Sequence, residues 1–103
     1  MKVNDKFYNE ALQLEIQKAV ERTGVSSRVL GELLGISQDY ARRIVKLEQS
    51  IVRSDVERKA VVVVKLLNDL ADQKLLPIET PKNNPRYSDK LFEIINQYLD
   101  KIS

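Results

Sequence analysis

The sequence predicts an all-α chain, and three observations carry that prediction. Apolar residues recur at helical spacing in five segments. Serines able to cap a helix stand before most of these segments, and Gly or Pro follows them. No segment sustains period-2 alternation, and neither Asn-Gly nor Asp-Gly occurs to signal a hairpin.

The first helix is expected from Asn4 or Asp5 to Arg22, with a broad stripe of Phe7, Ala11, Leu12, Leu14, Ile16, Ala19 and Val20. Gly24 closes it as a C-terminal cap. A second helix should run from Ser27 to Leu34, with Ser26 as N-cap and Gly35 as its stop. A third follows from Gln38 to Leu47, capped by Ser37. Ser54-Asp55-Val56-Glu57 spells a capping box, so the fourth helix starts after Ser54 and extends to about Leu75, before Pro77. Within it, Ala60-Val61-Val62-Val63-Val64 is β-branched enough to suggest a strand. The helical spacing of Leu66, Leu67, Leu70 and Ala71 favours a helix, apolar nearly all round and therefore central. Leu76 to Tyr87 holds all 3 prolines with Asn83 and Asn84 and reads as a loop. The fifth helix starts after Ser88 and lines up Leu91, Ile94, Ile95, Tyr98, Leu99 and Ile102.

The 103 residues suffice for one modest core, 43% of them hydrophobic and none of them Trp. A core of that size is marginal, which favours a partner subunit. With no Cys and no His, thiolate nucleophiles, imidazole bases and the usual zinc sites are excluded. Neither a clustered acidic pair nor a Gly-rich phosphate loop appears, so no catalytic residue, metal or cofactor is expected and an enzyme is the weakest reading. The start Met1-Lys2-Val3-Asn4-Asp5 lacks an apolar signal region, and the longest apolar run, Ala60 to Val64, is too short to span a membrane. A cytoplasmic protein is expected, in keeping with the missing cysteines.

Net charge is only +2, but its distribution is uneven. Residues 22–46 carry five basic against two acidic residues, while residues 47–103 carry nine of each. A local basic cluster on a weakly charged chain suits a specific nucleic-acid binder better than a nonspecific coating protein.

That cluster falls on the most informative stretch, Ser26 to Lys46. Leu30 and Leu34 lie one turn apart and should face the core. Gly31 should be small because another helix passes close. Gly35 sits where a turn needs positive φ. Ile36 should plug the corner, and Ala41 and Ile44 should form the buried face of the third helix. Gln38, Asp39, Arg42 and Arg43 are then left on its outer face. Gln pairs bidentately with adenine and Arg with guanine, which is the chemistry of DNA base reading. The motif is a helix-turn-helix spanning residues 26–47.

The run from about Ile16 to Glu48 resembles the phage lambda-repressor and Cro type (XRE-like) of helix-turn-helix. The resemblance rests on Gly24-Val25-Ser26, Leu30-Gly31, Leu33-Leu34-Gly35-Ile36-Ser37, and Ala41 with Ile44, and it covers roughly a third of the chain. It implies that Gln38, Asp39, Arg42 and Arg43 read or flank bases, and that Ser27 and Arg28 hold phosphate at a helix N-terminus. Three departures stand out, the first being the acidic Asp39 at a groove-facing position. Gln49-Ser50-Ile51-Val52-Arg53 replaces a loop that in the family often bears Gly or Pro, and the segment after residue 55 matches no family tail.

Several roles stay open at this level. Asp39 can accept from a cytosine amino group or cap the amides beside Ser37. Tyr40 can donate to a phosphate or pack against the second helix. Either arginine alone can equally belong to a solvated face, the pair beside Gln38 less readily, and the motif can be a plain helical corner, although Gly31, Gly35 and the outward polar set rarely coincide by chance. Lys46 and Arg53 are expected at the DNA backbone, whereas Arg58 and Lys59 suit intrahelical pairs as well. Residues 1–76 are expected to form the DNA-binding core. Residues 77–103 would serve packing or dimerisation through Leu91, Ile95, Tyr98, Leu99 and Ile102. The expected function is that of a repressor binding double-stranded DNA as a homodimer. The alternatives are an antitoxin-like module with a protein partner, and a replication or packaging accessory.

Overall fold

Serine caps and left-handed turns divide the chain much where the sequence places them. The computed structural model describes residues 10–102. They form α1 (Glu10–Thr23), α2 (Ser27–Leu34), α3 (Gln38–Val45), α4 (Ser54–Asp72) and α5 (Tyr87–Ile102), with no strand among the described residues. The expected start of the first helix at Asn4 or Asp5, and Phe7 of its stripe, lie outside the described residues.

α1 turns a narrower face inward than its composition suggests. Gln13, Ile16, Ala19 and Thr23 are buried, Leu12 and Val20 half-buried, and Ala11 and Leu14 exposed. The inward positions follow the helical period from Ile16 and Ala19, and that period lands on Gln13 rather than on Leu14. Gly24 ends the helix at φ +69°, and its N–H donates to the Val20 carbonyl at 2.8 Å.

Three helices end in one motif, a left-handed residue whose own and next N–H groups reach back to the last turn. At Gly35 (φ 73°), Ile36 N–H donates to Gly31 O at 2.8 Å. At Leu47 (φ 60°), Glu48 N–H donates to Arg43 O at 2.8 Å, so α3 stops at Val45 rather than at Leu47. At Lys74 (φ 62°), Leu75 N–H donates to Leu70 O at 2.9 Å, so α4 stops at Asp72, short of the expected Leu75.

The start of α4 also differs from expectation. Ser54 is its first helical residue, and Arg53 occupies the N-cap without a side-chain cap bond, so the expected capping box does not form. The valine run is helical but not central on every side. Val56, Ala60, Val63, Leu66, Leu67 and Leu70 face the core, whereas Val61 and Val62 are 57% and 66% exposed. They fall between the inward positions of a helix covered on one face only.

α5 begins at Tyr87, two residues earlier than expected. The Tyr87 hydroxyl donates to the Gly24 carbonyl at 2.6 Å and ties α5 to the α1–α2 junction. Burial pushes its phenol above the ordinary tyrosine range. At the other end, the Tyr98 hydroxyl lies 3.5 Å from Asp69 Oδ2 and accepts from Gln73 Nε2 at 3.3 Å. Leu91, Ile95 and Tyr98 belong to the same buried cluster as the residues of α1–α4. These three were expected at a dimer face, but the chain's own core already covers them, and of that set only Leu99 and Ile102 remain exposed. No helix among the described residues is long and apolar enough to cross a membrane.

Gly31 sets the distance between α2 and the turn that follows it. A Cβ there would lie 2.9 Å from the Ile36 carbonyl oxygen and 3.1 Å from that of Ser37. Both are backbone atoms and cannot swing aside. Gly31→Ala should therefore destabilise the fold by on the order of 1 kcal/mol, the overpacking outweighing the usual helix-propensity gain of similar size. Urea denaturation should show a lower midpoint at unchanged m value.

Candidate nucleic-acid interface

α3 has only eight residues, too few to be stable by itself, so its geometry is set by its caps and by what it packs on. The Ser37 hydroxyl accepts from Tyr40 N–H at 3.1 Å and opens the helix. Ala41 and Ile44 are fully buried. Those two anchors turn Gln38, Asp39, Arg42, Arg43 and Lys46 outward on one face, three cations and one anion among them. Arg42 is half-buried and the others are exposed.

The far end of α3 is held by two glutamines from α1. Gln13 Nε2 donates to the Ile44 carbonyl at 3.1 Å and to the Gln49 carbonyl at 2.9 Å. Gln17 Nε2 donates to the Val45 carbonyl at 2.8 Å. The carbonyls of a helix's last turn lack intrahelical partners, and these amides supply them. A polar side chain as buried as Gln13, 2% exposed, requires such partners. Neither glutamine emerged from the sequence reading, because polar residues in an amphipathic helix are assigned to its outer face. The one available signal was the period of Ile16 and Ala19, which extends back to position 13.

Tyr40 supplies a third tie. Its hydroxyl donates to the Ser50 carbonyl at 3.0 Å, fixing the segment that leads to α4. A phosphate accepting from Tyr40 would have to take the place of the Ser50 carbonyl. The ring packs against the core cluster.

Asp39 divides its carboxylate between two neighbours. Oδ1 accepts from Arg42 Nη2 at 2.5 Å, and Oδ2 stands 3.0 Å from Arg43 Nε. The Arg42 hydrogen bond, aided by the charges of Arg43 and Arg42, holds the Asp39 carboxyl below its ordinary range despite some desolvation. Arg42 is raised in turn, chiefly by the same bond. The amide-capping role once open to Asp39 is filled by Ser37.

The remaining candidates lie outside α3. Ser27 and Arg28 occupy the first turn of α2, where Ser26 accepts from Val29 N–H at 3.3 Å and Arg28 lies 4.0 Å from Glu32. Arg53 makes two bonds to Asp55, at 3.1 and 2.6 Å. The hydrogen bond to Asp55 raises Arg53, and the bond from Arg53 lowers Asp55. Such exposed pairs add little to the stability of the fold.

The chain matches no protein-family model, no curated protein and no solved structure.

Replacing Gln13 by Leu keeps the volume but removes the Gln13 bond to the Gln49 carbonyl and one of two donors to the Ile44 carbonyl, which still accepts from Leu47 N–H at 3.1 Å. The variant should lose about 1–3 kcal/mol of stability, the net worth of two hydrogen bonds. Amide hydrogen exchange should rise first in α3 and in the segment after it.

Proposed function

We propose that this protein binds double-stranded DNA at specific sites by laying the outer face of α3 in the major groove, and that it acts as a transcriptional repressor of the phage or plasmid type. The observation that supports this reading is the division of α3 itself. Ala41 and Ile44 are fully buried, while Gln38, Asp39, Arg42 and Arg43 point outward from a helix secured at both ends.

In this reading the N-terminal turn of α3 approaches the base edges, so Gln38 and Asp39 reach deepest and Arg42 follows one turn later. Gln38 is suited to adenine and the arginines to guanine. Ser27 and Arg28, at the positive end of the α2 dipole, would hold phosphate together with Lys46 and Arg53. A homodimer on two half-sites about one helical turn apart, roughly 34 Å, would occlude a promoter sterically. Its contact surface is to be sought outside Leu91, Ile95 and Tyr98, which the core covers.

A second reading, in which α4 covers a protein partner, draws support from exposed Val62 at the lip of a groove of about 330 Å³ lined by Leu33, Arg58, Lys59 and Val63.

Selection from a random duplex library, followed by anisotropy titration of the enriched duplex and a shuffled one, tests the proposal. It requires an enriched motif bound at least about 100-fold tighter at physiological salt. Weak, equal and salt-abolished binding to both would overturn it and put the protein-partner reading first. Arg42→Ala should weaken binding to the enriched duplex roughly 10- to 100-fold and relax base choice at one position. A uniform loss across sequences would instead mark Arg42 as a phosphate contact.

A further inference from the structure

One carboxylate stands in the middle of the face assigned to DNA, a polyanion, and it contacts both arginines there. Its geometry is informative. Each oxygen of Asp39 takes a different guanidinium, Oδ1 that of Arg42 and Oδ2 that of Arg43. Arg43 is engaged through Nε, which leaves its two terminal nitrogens for another partner. Arg42 is engaged through one terminal nitrogen only, which leaves the rest of its fork. Both side chains are drawn toward the N-terminal turn of α3, the end from which bases are met.

Resting on the DNA-binding reading above, we infer that Asp39 is a specificity-determining and positioning residue, which aims Arg42 and Arg43 at guanines, accepts from a neighbouring cytosine and suppresses binding to DNA of other sequence. Three physical consequences of its placement support this. A guanidinium held at one edge loses less rotamer freedom when the other edge meets the O6 and N7 acceptors of guanine. A carboxylate in the major groove is favoured beside the cytosine amino group and repelled by the O4 of thymine. Its charge also cancels one of the two adjacent positive charges, which lowers sequence-independent attraction to phosphate. The preferred site is therefore a G·C-containing step at the positions under Asp39, Arg42 and Arg43, with the A·T preference of Gln38 beside it.

The test compares wild type with Asp39→Asn, Asp39→Ala and Asp55→Asn. Asp55→Asn makes the same charge change on α4, away from these arginines. Duplex selection on the wild type should enrich G·C at adjacent positions. Both Asp39 variants should bind a shuffled duplex several-fold more tightly, with a salt slope steeper by about one unit, and should lose roughly tenfold of the preference at the G·C positions. Asp55→Asn should keep that preference. The inference is overturned, with the DNA-binding reading intact, if the wild type enriches a motif without G·C at these positions. The same holds if the Asp39 variants keep the wild-type preference or shift all duplexes by one factor. If the wild type enriches no motif at all, the DNA-binding reading falls and the inference with it. Asp39 is exposed, so the variants should fold as the wild type does, which circular dichroism checks.

Discussion

The missing side chain at Gly31 is the constraint on which the α2–α3 segment depends. The backbone of Ile36 and Ser37 crosses α2 at that residue so closely that even a methyl group would meet a carbonyl oxygen at 2.9 Å. The close crossing lets Ile36 N–H reach back to the Gly31 carbonyl and places Ser37 where its hydroxyl caps α3. Gly35, left-handed at φ 73°, turns the chain into this crossing, and the Leu30 and Leu34 side chains of α2 fill the core beneath.

A helix of two turns cannot hold its own direction, and here that direction comes from α1. Gln13 and Gln17 act as an external cap for the last carbonyls of α3, linking residues about thirty positions apart in the chain. Tyr40 then ties α3 to the segment before α4, and Tyr87 ties α5 back to the α1–α2 junction. Each tie joins a side chain to a backbone carbonyl, so the arrangement fixes the path of the chain as well as filling space. Side chains on the outer face of α3 are thereby presented from a helix whose path the rest of the chain holds.

Much of this was legible in local pattern. The α2 boundaries, its serine cap, the left-handed glycines at positions 24 and 35 and the inward residues Ala41 and Ile44 all follow from interactions within a few residues of one another. What local pattern misplaced has a common cause. The capping box at Ser54 does not form because the helix starts one residue earlier, with Arg53 at the N-cap. Leu47 and Lys74 end their helices in left-handed conformations that neither residue type prefers, because the following segments must turn back onto the core.

By itself, the sequence determined the all-α class, the five helices and the outward set Gln38, Asp39, Arg42 and Arg43. Helical period, serine caps and turn glycines are short-range physics, and short-range physics is written in neighbouring residues. Only the tertiary structure decided that Gln13 belongs inside and Leu14 outside, that Leu91, Ile95 and Tyr98 close this chain's own core, and that Tyr40 gives its proton to Ser50. It also showed that Asp39 divides its carboxylate between two arginines. Burial and hydrogen-bond partners are set by residues far apart in the chain or by rotamers, and neither has a local signature.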